Sequence, residues 1–182
     1  MSDDVRLRPS TPADLAFITG LERREDHLAV IGQWSDLEHL AAMQSPKREH
    51  WIVEVAGVPA GYLIAFDGRE ASGGCYLKRI LVADKGRGVG RAALTAFMEH
   101  AFGDLGAPFV WLHVREANEG AQKLYRDLGF RRFDPTATLS KSLDQLAGIT
   151  RIFDRTAPAP PAAFRMLLKH GDWAGADSSG EH

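Results

Sequence analysis

A strand that runs into a glycine-rich turn and then into an amphipathic helix constrains this chain more than any other feature. Residues 81–91 read Leu-Val-Ala-Asp-Lys-Gly-Arg-Gly-Val-Gly-Arg, with three glycines at alternate positions. Glycines permit a tight turn and let a ligand approach the backbone N–H groups, while a helix N-terminus adds unpaired donors and positive potential. Lys85, Arg87 and Arg91 add cationic charge. The segment therefore predicts an anion site suited to a pyrophosphate, against the simpler interpretation of a flexible basic connection.

Two nucleotide-binding motifs compete for this segment. The G-x-x-x-x-G-K-[ST] loop of P-loop enzymes is absent from the sequence. Residues 88–93 do fit the dinucleotide pattern G-x-G-x-x-A, and Glu116 follows the next predicted strand. However, 28 residues separate Gly88 from Glu116, whereas the dinucleotide fold places its acidic residue roughly 20 residues on. A nicotinamide-dependent oxidoreductase therefore stays a less favoured alternative.

The rest of the chain alternates predicted strands with predicted helices. Alternation of apolar and polar residues, or a short apolar run, predicts strands at 5–8, 49–55, 59–66, 75–83, 109–114 and 164–169. Capping residues and apolar stripes predict helices after Ser10-Thr11-Pro12 and at 35–43, 90–102 and 119–128, with a weaker one near 140–148. The pattern is a mostly antiparallel sheet with a late strand–helix–strand unit, which indicates an α+β fold.

Composition excludes several classes of protein. The chain has 182 residues, 45% of them hydrophobic, and a formal net charge of −2, which suits one compact domain over residues 1–170 and a disordered tail over 171–182. A pI near 6.4 argues against a nucleic-acid binder, and no apolar run is long enough to cross a membrane. A single cysteine excludes an internal disulfide, and the histidines lack metal-ligand spacing, so no metal site is expected. The acidic N-terminus has no signal-peptide pattern, so we expect a cytoplasmic protein.

Two motifs resemble those of the GNAT superfamily of N-acetyltransferases. Residues 85–90, Lys-Gly-Arg-Gly-Val-Gly, resemble its Q/R-x-x-G-x-G/A loop for the acyl-CoA pyrophosphate, with Lys in the first position. The run 111–118, Trp-Leu-His-Val-Arg-Glu-Ala-Asn, followed by Ala121, Leu124-Tyr125 and Gly129-Phe130, is similar to the family's later motif. The resemblance covers roughly residues 4–133. The loop is about two residues shorter than the commonest family version, and residues 134–163 do not read like the family's usual final hairpin.

The resemblance implies a fold and an activity. The fold would be a GNAT-like mixed, mostly antiparallel central sheet flanked by helices in three α/β/α layers. The activity would be direct transfer of an acetyl group from acetyl-CoA, as co-substrate, to a primary amine of a small molecule or a protein N-terminus. A CoA-binding sensor domain without turnover is the alternative of another class. The resemblance implies a small-molecule or peptide amine as the acceptor. The composition argues against a nucleic-acid or membrane partner, and exposed edge strands permit a homodimer.

The same resemblance assigns the residues that bind the co-substrate. Backbone groups of the strand would pair with the pantetheine arm, the turn would hold the pyrophosphate, and an asparagine would add a side-chain contact beside its ordinary role as a helix cap. These residues are Leu81, Val82, Lys85, Arg87, Gly88, Val89, Gly90, Arg91 and Asn118.

Tyr125 and His113 are the catalytic candidates. The family motif implies that Tyr125 donates a hydrogen bond or proton to the CoA sulfur, although its helical spacing also fits a core aromatic. His113 stands where some relatives carry a carboxylate base, and a histidine titrates near neutral pH. Its apolar strand neighbours equally suit a buried structural histidine, and a water chain is a further alternative for the base.

Charged residues outside the motifs bear on the acceptor. Glu22, Glu25 and Asp26 would attract a cationic amine, but a charge run of this kind is more typical of a solvated helix end. Lys78 and Arg79 occupy the strand position where relatives often carry a carboxylate base, and they would instead favour an acceptor that bears a carboxylate. The sequence therefore leaves the identity of the acceptor open.

Overall fold

The computed structural model describes residues 4–28, 31–67, 74–136 and 162–174. The predicted helix near 140–148 and most of the turn at 67–74 lie outside these residues. The strands are β1 (Val5–Pro9), β2 (Arg48–Val55), β3 (Val58–Asp67), β4 (Cys75–Val82), β5 (Phe109–Arg115), β6 (Arg131–Arg132) and β7 (Ala163–Lys169). The α-helices are α1 (Leu15–Glu22), α2 (Glu25–Leu28), α3 (Asp36–Gln44), α4 (Val89–Glu99) and α5 (Glu119–Asp127).

The predicted α+β class is confirmed. The described strands belong to one mixed seven-stranded sheet with flanking helices. The chain divides into two compact units, one of residues up to 66 together with 77–97, and one of residues 67–76 together with 98 onward. Strands follow the order β1-β2-β3-β4 in the first part of the sheet and β5-β7-β6 in the second. The assignment of residues 1–170 to one domain stays a prediction.

The first unit is built on a β-hairpin that the sequence predicts. Strands β2 and β3 pair antiparallel, and β1 pairs antiparallel with the other edge of β2, with Val5 opposite Val55. The hairpin turn places Ala56 and Gly57 at φ angles of 50° and 77°. Both faces of the hairpin are buried: Ile52, Val53, Leu63 and Ile64 are fully buried, as is Ile18 of α1. Successive strand residues point to opposite faces, and Val53 packs with Val89 and Ala93 of α4.

Capping groups set the starts of the first helices. Thr11 donates its N–H to Asp14 Oδ2 over 2.8 Å, which closes the 3₁₀ turn Pro12–Asp14 that leads into α1. Ser35 and Glu38 form the predicted capping box at the start of α3, where the Glu38 N–H donates to Ser35 Oγ and the Ser35 N–H donates back to Glu38 Oε2. Both signals are local, which is why the sequence locates these helix starts correctly.

The second unit contains α5 and the antiparallel strands β5, β7 and β6. His113 of β5 lies opposite Arg165 of β7, and Gly129 ends α5 at a φ of 97°. After β7 the chain forms the 3₁₀ turn His170–Asp172, and the next residue, Trp173, is buried against Phe102. The predicted disordered tail begins in this turn, and residues 175–182 lie outside the described part of the chain.

No helix within the described ranges combines the length and the apolar character that crossing a bilayer requires.

Candidate functional site

The turn between β4 and α4 is shaped for a ligand that lies against its backbone. Gly86 and Gly88 have φ angles of 80° and 79°, in the left-handed region that glycine adopts without steric cost. A Cβ added to either residue would meet no protein atom within 4 Å, so the space beside the turn is open. The next residue, Val89, begins α4, whose first backbone N–H groups have no acceptor within the helix. The turn therefore offers backbone N–H groups at a helix N-terminus and the room that an anion needs.

Arg24, which lies between α1 and α2, and Asp26 of α2 brace this turn. The Arg24 guanidinium donates to the carbonyl oxygen of Ala83 over 2.8 Å. Lys85 Nζ donates to the carbonyl oxygen of Asp26 over 3.2 Å and lies 3.6 Å from its carboxylate. The predicted phosphate ligand Lys85 is therefore partly committed to Asp26, although 55% of its side chain stays exposed. This bracing was not expected from the sequence, because α2 was predicted only as a charged helix end.

The start of α4 is anchored by one apolar side chain among exposed polar ones. Val89 is buried against Val53 and Ala93. Arg87 and Arg91 are exposed, and Arg87 lies 3.9 Å from the Asp84 carboxylate. The anchor holds the helix N-terminus in place beside the exposed residues Arg87 and Arg91.

Strand β4 lies very close to β3 at the position predicted to bind the pantetheine arm. A Cβ added to Gly61 would overlap the carbonyl oxygen of Leu81, and the Ala83 N–H donates to the carbonyl oxygen of Ala60 over 2.8 Å. Leu81 is buried and Val82 is half-buried. Only a glycine at position 61 permits this close contact between the backbones.

Asn118 caps α5 as its position predicts. Its side-chain oxygen accepts from the Ala121 N–H over 3.2 Å, and its own N–H donates to the Arg115 carbonyl oxygen over 2.9 Å. The side chain thus has a structural role, and its contact with pantetheine stays a prediction.

Tyr125 is the one buried residue of α5. It is 8% exposed, and its ring lies 5.7 Å from that of Phe130. Burial raises the pKa of the Tyr125 phenol to about 12. The hydroxyl is therefore protonated throughout the neutral range and is available as a hydrogen-bond donor.

His113 is exposed, so the alternative of a buried structural histidine is wrong. Its Nδ1 lies 3.1 Å from Tyr76 Oη, and its ring makes edge contacts with Tyr76 and Trp111. The ring is therefore held on one side by buried aromatic groups while the residue remains accessible to solvent. Accessibility is what a proton acceptor for a substrate requires.

The first unit also holds a buried polar cluster that sequence reasoning missed. Its centre is the Glu22 carboxylate, which is 1% exposed. The carboxylate accepts hydrogen bonds from Arg79 Nη1 over 2.5 Å, from the Tyr62 hydroxyl, and from the backbone N–H of Trp34 over 3.1 Å. His39 Nε2 lies 3.2 Å from the same carboxylate. The expectation that Glu22 belongs to a solvated helix end is wrong, and Arg79 is committed to Glu22 rather than exposed to an acceptor.

Electrostatics keep this cluster ionised at its centre. Burial opposes ionisation of Glu22, but the His39 ring, the Arg79 charge and the Tyr62 hydroxyl outweigh burial, so the Glu22 pKa lies below its ordinary value. Burial and the neighbouring His39 and Arg79 lower the His50 pKa to about 3, so His50 is neutral at neutral pH. The only sequence signals were a charged residue at the end of an apolar helix face and an arginine at an inward position of β4. Neither signal reveals the partner.

The sequence matches a family model described as the acetyltransferase (GNAT) family over residues 16–130, which is 115 of the 182 residues. Among curated protein sequences none matches this chain.

Solved structures share the fold at low sequence identity. A spermidine N-acetyltransferase from Vibrio cholerae, in complex with CoA and spermine, is 18% identical with a TM-score of 0.68, over 92% of this chain and 96% of that one. An acetyltransferase from Thermus thermophilus is 21% identical with a TM-score of 0.64, over 91% and 96% of the two chains. A dodecameric structure of the Vibrio cholerae spermidine N-acetyltransferase is 17% identical with a TM-score of 0.67, over 96% and 98%.

Proposed function

Since this chain belongs to the acetyltransferase (GNAT) family, it moves an acetyl group from acetyl-CoA to an amine, and we propose that the acceptor is a primary amine of a small molecule or a protein N-terminus. The transfer is direct: the amine nitrogen attacks the thioester carbon, the new C–N bond forms and the C–S bond breaks. One proton leaves the attacking amine, and the departing thiolate gains one. The protein must therefore hold the thioester, accept a proton and stabilise the sulfur.

The observation that carries this proposal is the turn at 83–88 with its two left-handed glycines and open outer face. The pyrophosphate of acetyl-CoA is a dianion that suits backbone N–H donors at a helix N-terminus. Arg87 and Arg91 would add charge to this site, while Lys85 would share its charge with Asp26. Leu81 and Val82 would present backbone groups to the pantetheine arm, and Asn118 would add a side-chain contact.

We propose that Tyr125 stabilises the departing sulfur. A phenol with a pKa of about 12 is a weaker acid than a thiol, whose pKa is about 8.5, so complete proton transfer from Tyr125 would be uphill. A hydrogen bond from the phenol to the developing thiolate avoids that cost. Tyr125→Phe should lower kcat at least tenfold and leave the affinity for acetyl-CoA within about twofold. Unchanged turnover would remove Tyr125 from the reaction.

We propose that His113 takes the proton from the acceptor amine. It is exposed, its ring is oriented by Tyr76 and Trp111, and imidazole titrates in the range where the enzyme must work. A chain of water molecules is the alternative base. His113→Gln should remove the acidic limb of the kcat/KM profile, whereas an unaltered limb favours water.

Two acidic residues that the sequence offered for binding a cationic acceptor already have partners in the structure. Glu22 is buried and paired with Arg79, and Asp26 is engaged by Arg24 and Lys85. Neither carboxylate stands ready for a cationic substrate. We therefore propose a screen of polyamines, amino acids, aminoglycosides and peptides with free N-termini, with CoA thiol release as the signal. The Vibrio cholerae structures make spermidine and spermine the first compounds to include.

The phosphate-binding turn is tested by Gly88→Val with Gly57→Val as its matched control. Both glycines have nearly the same φ, 79° and 77°, and neither has a neighbour within 4 Å of an added Cβ, so the backbone strain is alike. Gly57 lies in the hairpin turn between β2 and β3. Calorimetry should show loss of acetyl-CoA and CoA binding in Gly88→Val alone. Equal affinity in the two variants would refute the assignment.

The same calorimetry separates the alternatives of another class. Binding of acetyl-CoA and CoA without NAD(H) excludes the dinucleotide-dependent oxidoreductase. Thiol release with at least one amine excludes a sensor domain without turnover. Light scattering on the same sample tests the homodimer that the edge strands permit.

A further inference from the structure

Three aromatic side chains of the second unit form a compact group, which we name the aromatic triad: Tyr76, Trp111 and His113. The Tyr76 and Trp111 rings are stacked, with centroids 4.2 Å apart and an interplanar angle of 23°. His113 meets both rings edge-on, at 5.8 Å from Tyr76 and 5.4 Å from Trp111. Tyr76 is 4% exposed and Trp111 is fully buried, whereas His113 is exposed. The triad therefore links a rigid interior to an accessible imidazole.

A polar contact joins Tyr76 to the imidazole. Tyr76 Oη lies 3.1 Å from His113 Nδ1. A phenol can donate to a bare Nδ1 or accept from Nδ1–H, and the two arrangements place the imidazole lone pair on opposite nitrogens. If Nδ1 carries the hydrogen, Nε2 holds the lone pair and can accept a proton. If Tyr76 donates instead, Nε2 carries the hydrogen and neutral His113 cannot take a proton there.

We propose that Tyr76 is a positioning residue for the reaction: its phenol oxygen accepts a hydrogen bond from His113 Nδ1–H and so directs the Nε2 lone pair toward the acceptor ammonium. This inference rests on the proposed role of His113 as the base. It adds a residue that the family motifs do not contain and that sequence reasoning did not select.

The packing explains why a tyrosine is suited to this task. Stacking on the buried Trp111 fixes the Tyr76 ring, so the hydroxyl occupies one place without further loss of side-chain entropy. An exposed histidine on a strand would otherwise rotate freely about its χ2 bond. The hydrogen bond at Nδ1 restricts this rotation and does not involve Nε2. Its strength also increases when His113 gains a proton, because hydrogen bonds to charged groups are stronger than those between neutral groups.

Charged residues stand near His113 on strands β5, β7 and β4. Arg165 of β7 is its cross-strand partner, and Arg115 follows two residues along β5. Tyr76 of β4 contacts the imidazole, and Lys78 stands two residues further along that strand. Imidazole is the side-chain type in this group whose ordinary pKa lies in the range of an acidic limb, so His113→Gln is the variant that assigns the limb.

The test is Tyr76→Phe, which removes one oxygen atom and retains the stack on Trp111. Loss of the charge-assisted hydrogen bond makes the imidazolium less stable, so the acidic limb of kcat/KM should move to lower pH by about one unit. The kcat at neutral pH should fall about three- to tenfold because the imidazole is no longer oriented, and KM for acetyl-CoA should stay within about twofold. Tyr62→Phe is the control, since it also removes a buried phenol oxygen but one bonded to Glu22, and it should leave the limb in place.

Two outcomes overturn the inference while leaving the proposed base intact. An acidic limb that does not move in Tyr76→Phe, while His113→Gln abolishes it, shows that the phenol does not assist. A limb that moves to higher pH shows that the phenol donates to Nδ1, which is the opposite arrangement. If His113→Gln has the same acidic limb of kcat/KM as the wild-type protein, His113 is not the base, and the inference about Tyr76 is refuted as well.

Nitrogen-15 NMR of the histidine ring gives a readout that does not depend on turnover. The His113 signals are assigned by their loss in His113→Gln. Wild-type protein above pH 8 should show the Nδ1–H tautomer, and Tyr76→Phe should show a mixture of both. A predominantly Nε2–H tautomer in the wild-type protein would contradict the proposed donor and acceptor.

Discussion

The buried ion pair between Glu22 and Arg79 should control the stability of the first unit, and Glu22→Gln is the sharpest perturbation of it. The two side chains are 1% and 6% exposed, so solvent screens their interaction little. The glutamine keeps the shape of the side chain but removes the charge. Arg79 then keeps the glutamine oxygen as an uncharged acceptor but is a buried cation without a counter-charge. Its other contacts are the Tyr62 hydroxyl and the face of the Trp34 ring, 5.0 Å from its guanidinium carbon.

The expected cost is about 3–5 kcal/mol, the range for removing one partner of a buried ion pair. For a chain of this length each 1 kcal/mol lowers the melting temperature by about 2–4 °C, so the transition should fall by roughly 6–20 °C. The double variant Glu22→Gln, Arg79→Met removes the stranded cation as well and should be more stable than Glu22→Gln alone. The coupling energy of the double-mutant cycle should exceed about 2 kcal/mol.

The pH dependence of unfolding gives an independent check that ionised Glu22 stabilises the folded protein. The Glu22 pKa is lower in the folded protein than in the unfolded chain, so its stabilising contribution is complete above the unfolded value near 4.3 and disappears as the pH falls through the folded value. The difference between wild type and Glu22→Gln should therefore be full at pH 7 and shrink below about pH 4. Urea unfolding of all four proteins of the cycle measures both effects. Additive costs in the cycle, or a difference that does not change with pH, would refute this account of the cluster.

Three further predictions concern single positions. Hydrogen bonds from Arg8 lower the Asp14 pKa to about 2, so wild type should lose on the order of 2 kcal/mol of stability between pH 5 and pH 2; Asp14→Asn should show a flatter profile, and parallel profiles would contradict this. Gly61→Ala should cost about 1–3 kcal/mol because its Cβ overlaps the Leu81 carbonyl oxygen, and a urea midpoint equal to wild type would show that β3 and β4 separate freely. Asn118→Ala should cost about 1 kcal/mol through loss of the α5 cap, with Asn118→Ser restoring most of it; a serine variant as unstable as the alanine one would exclude capping as the cause.

Most of the secondary structure could be predicted from the sequence because its signals are local. Ser35 and Glu38 mark the start of α3, the alternating residues of β2 and β3 mark a hairpin, and Asn118 and Gly129 bound α5. Each signal acts through hydrogen bonds or side-chain packing within a few residues. The family was also within reach, since its two motifs are short, ordered and carried by glycines and an asparagine.

The contacts of charged residues could not be predicted in the same way. Glu22 resembled one member of a solvated charge run, yet its hydroxyl and guanidinium partners stand 40 and 57 positions further along the chain. Lys85 resembled a free phosphate ligand, yet it contacts Asp26, 59 positions away. No local pattern encodes such pairs, because the cost of burying a charge is offset only by groups that folding brings from other elements.

By itself the amino-acid sequence determined every strand except the two-residue β6, every helix except the short α2, the glycine turn, and the family to which the chain belongs. The tertiary structure alone decided that Glu22 is buried rather than solvated, that Asp26 restrains Lys85, and that Tyr76 lies against His113. The division has one physical reason. Backbone conformation follows from the propensities of neighbouring residues, whereas the environment of a side chain depends on which distant residues the fold places around it.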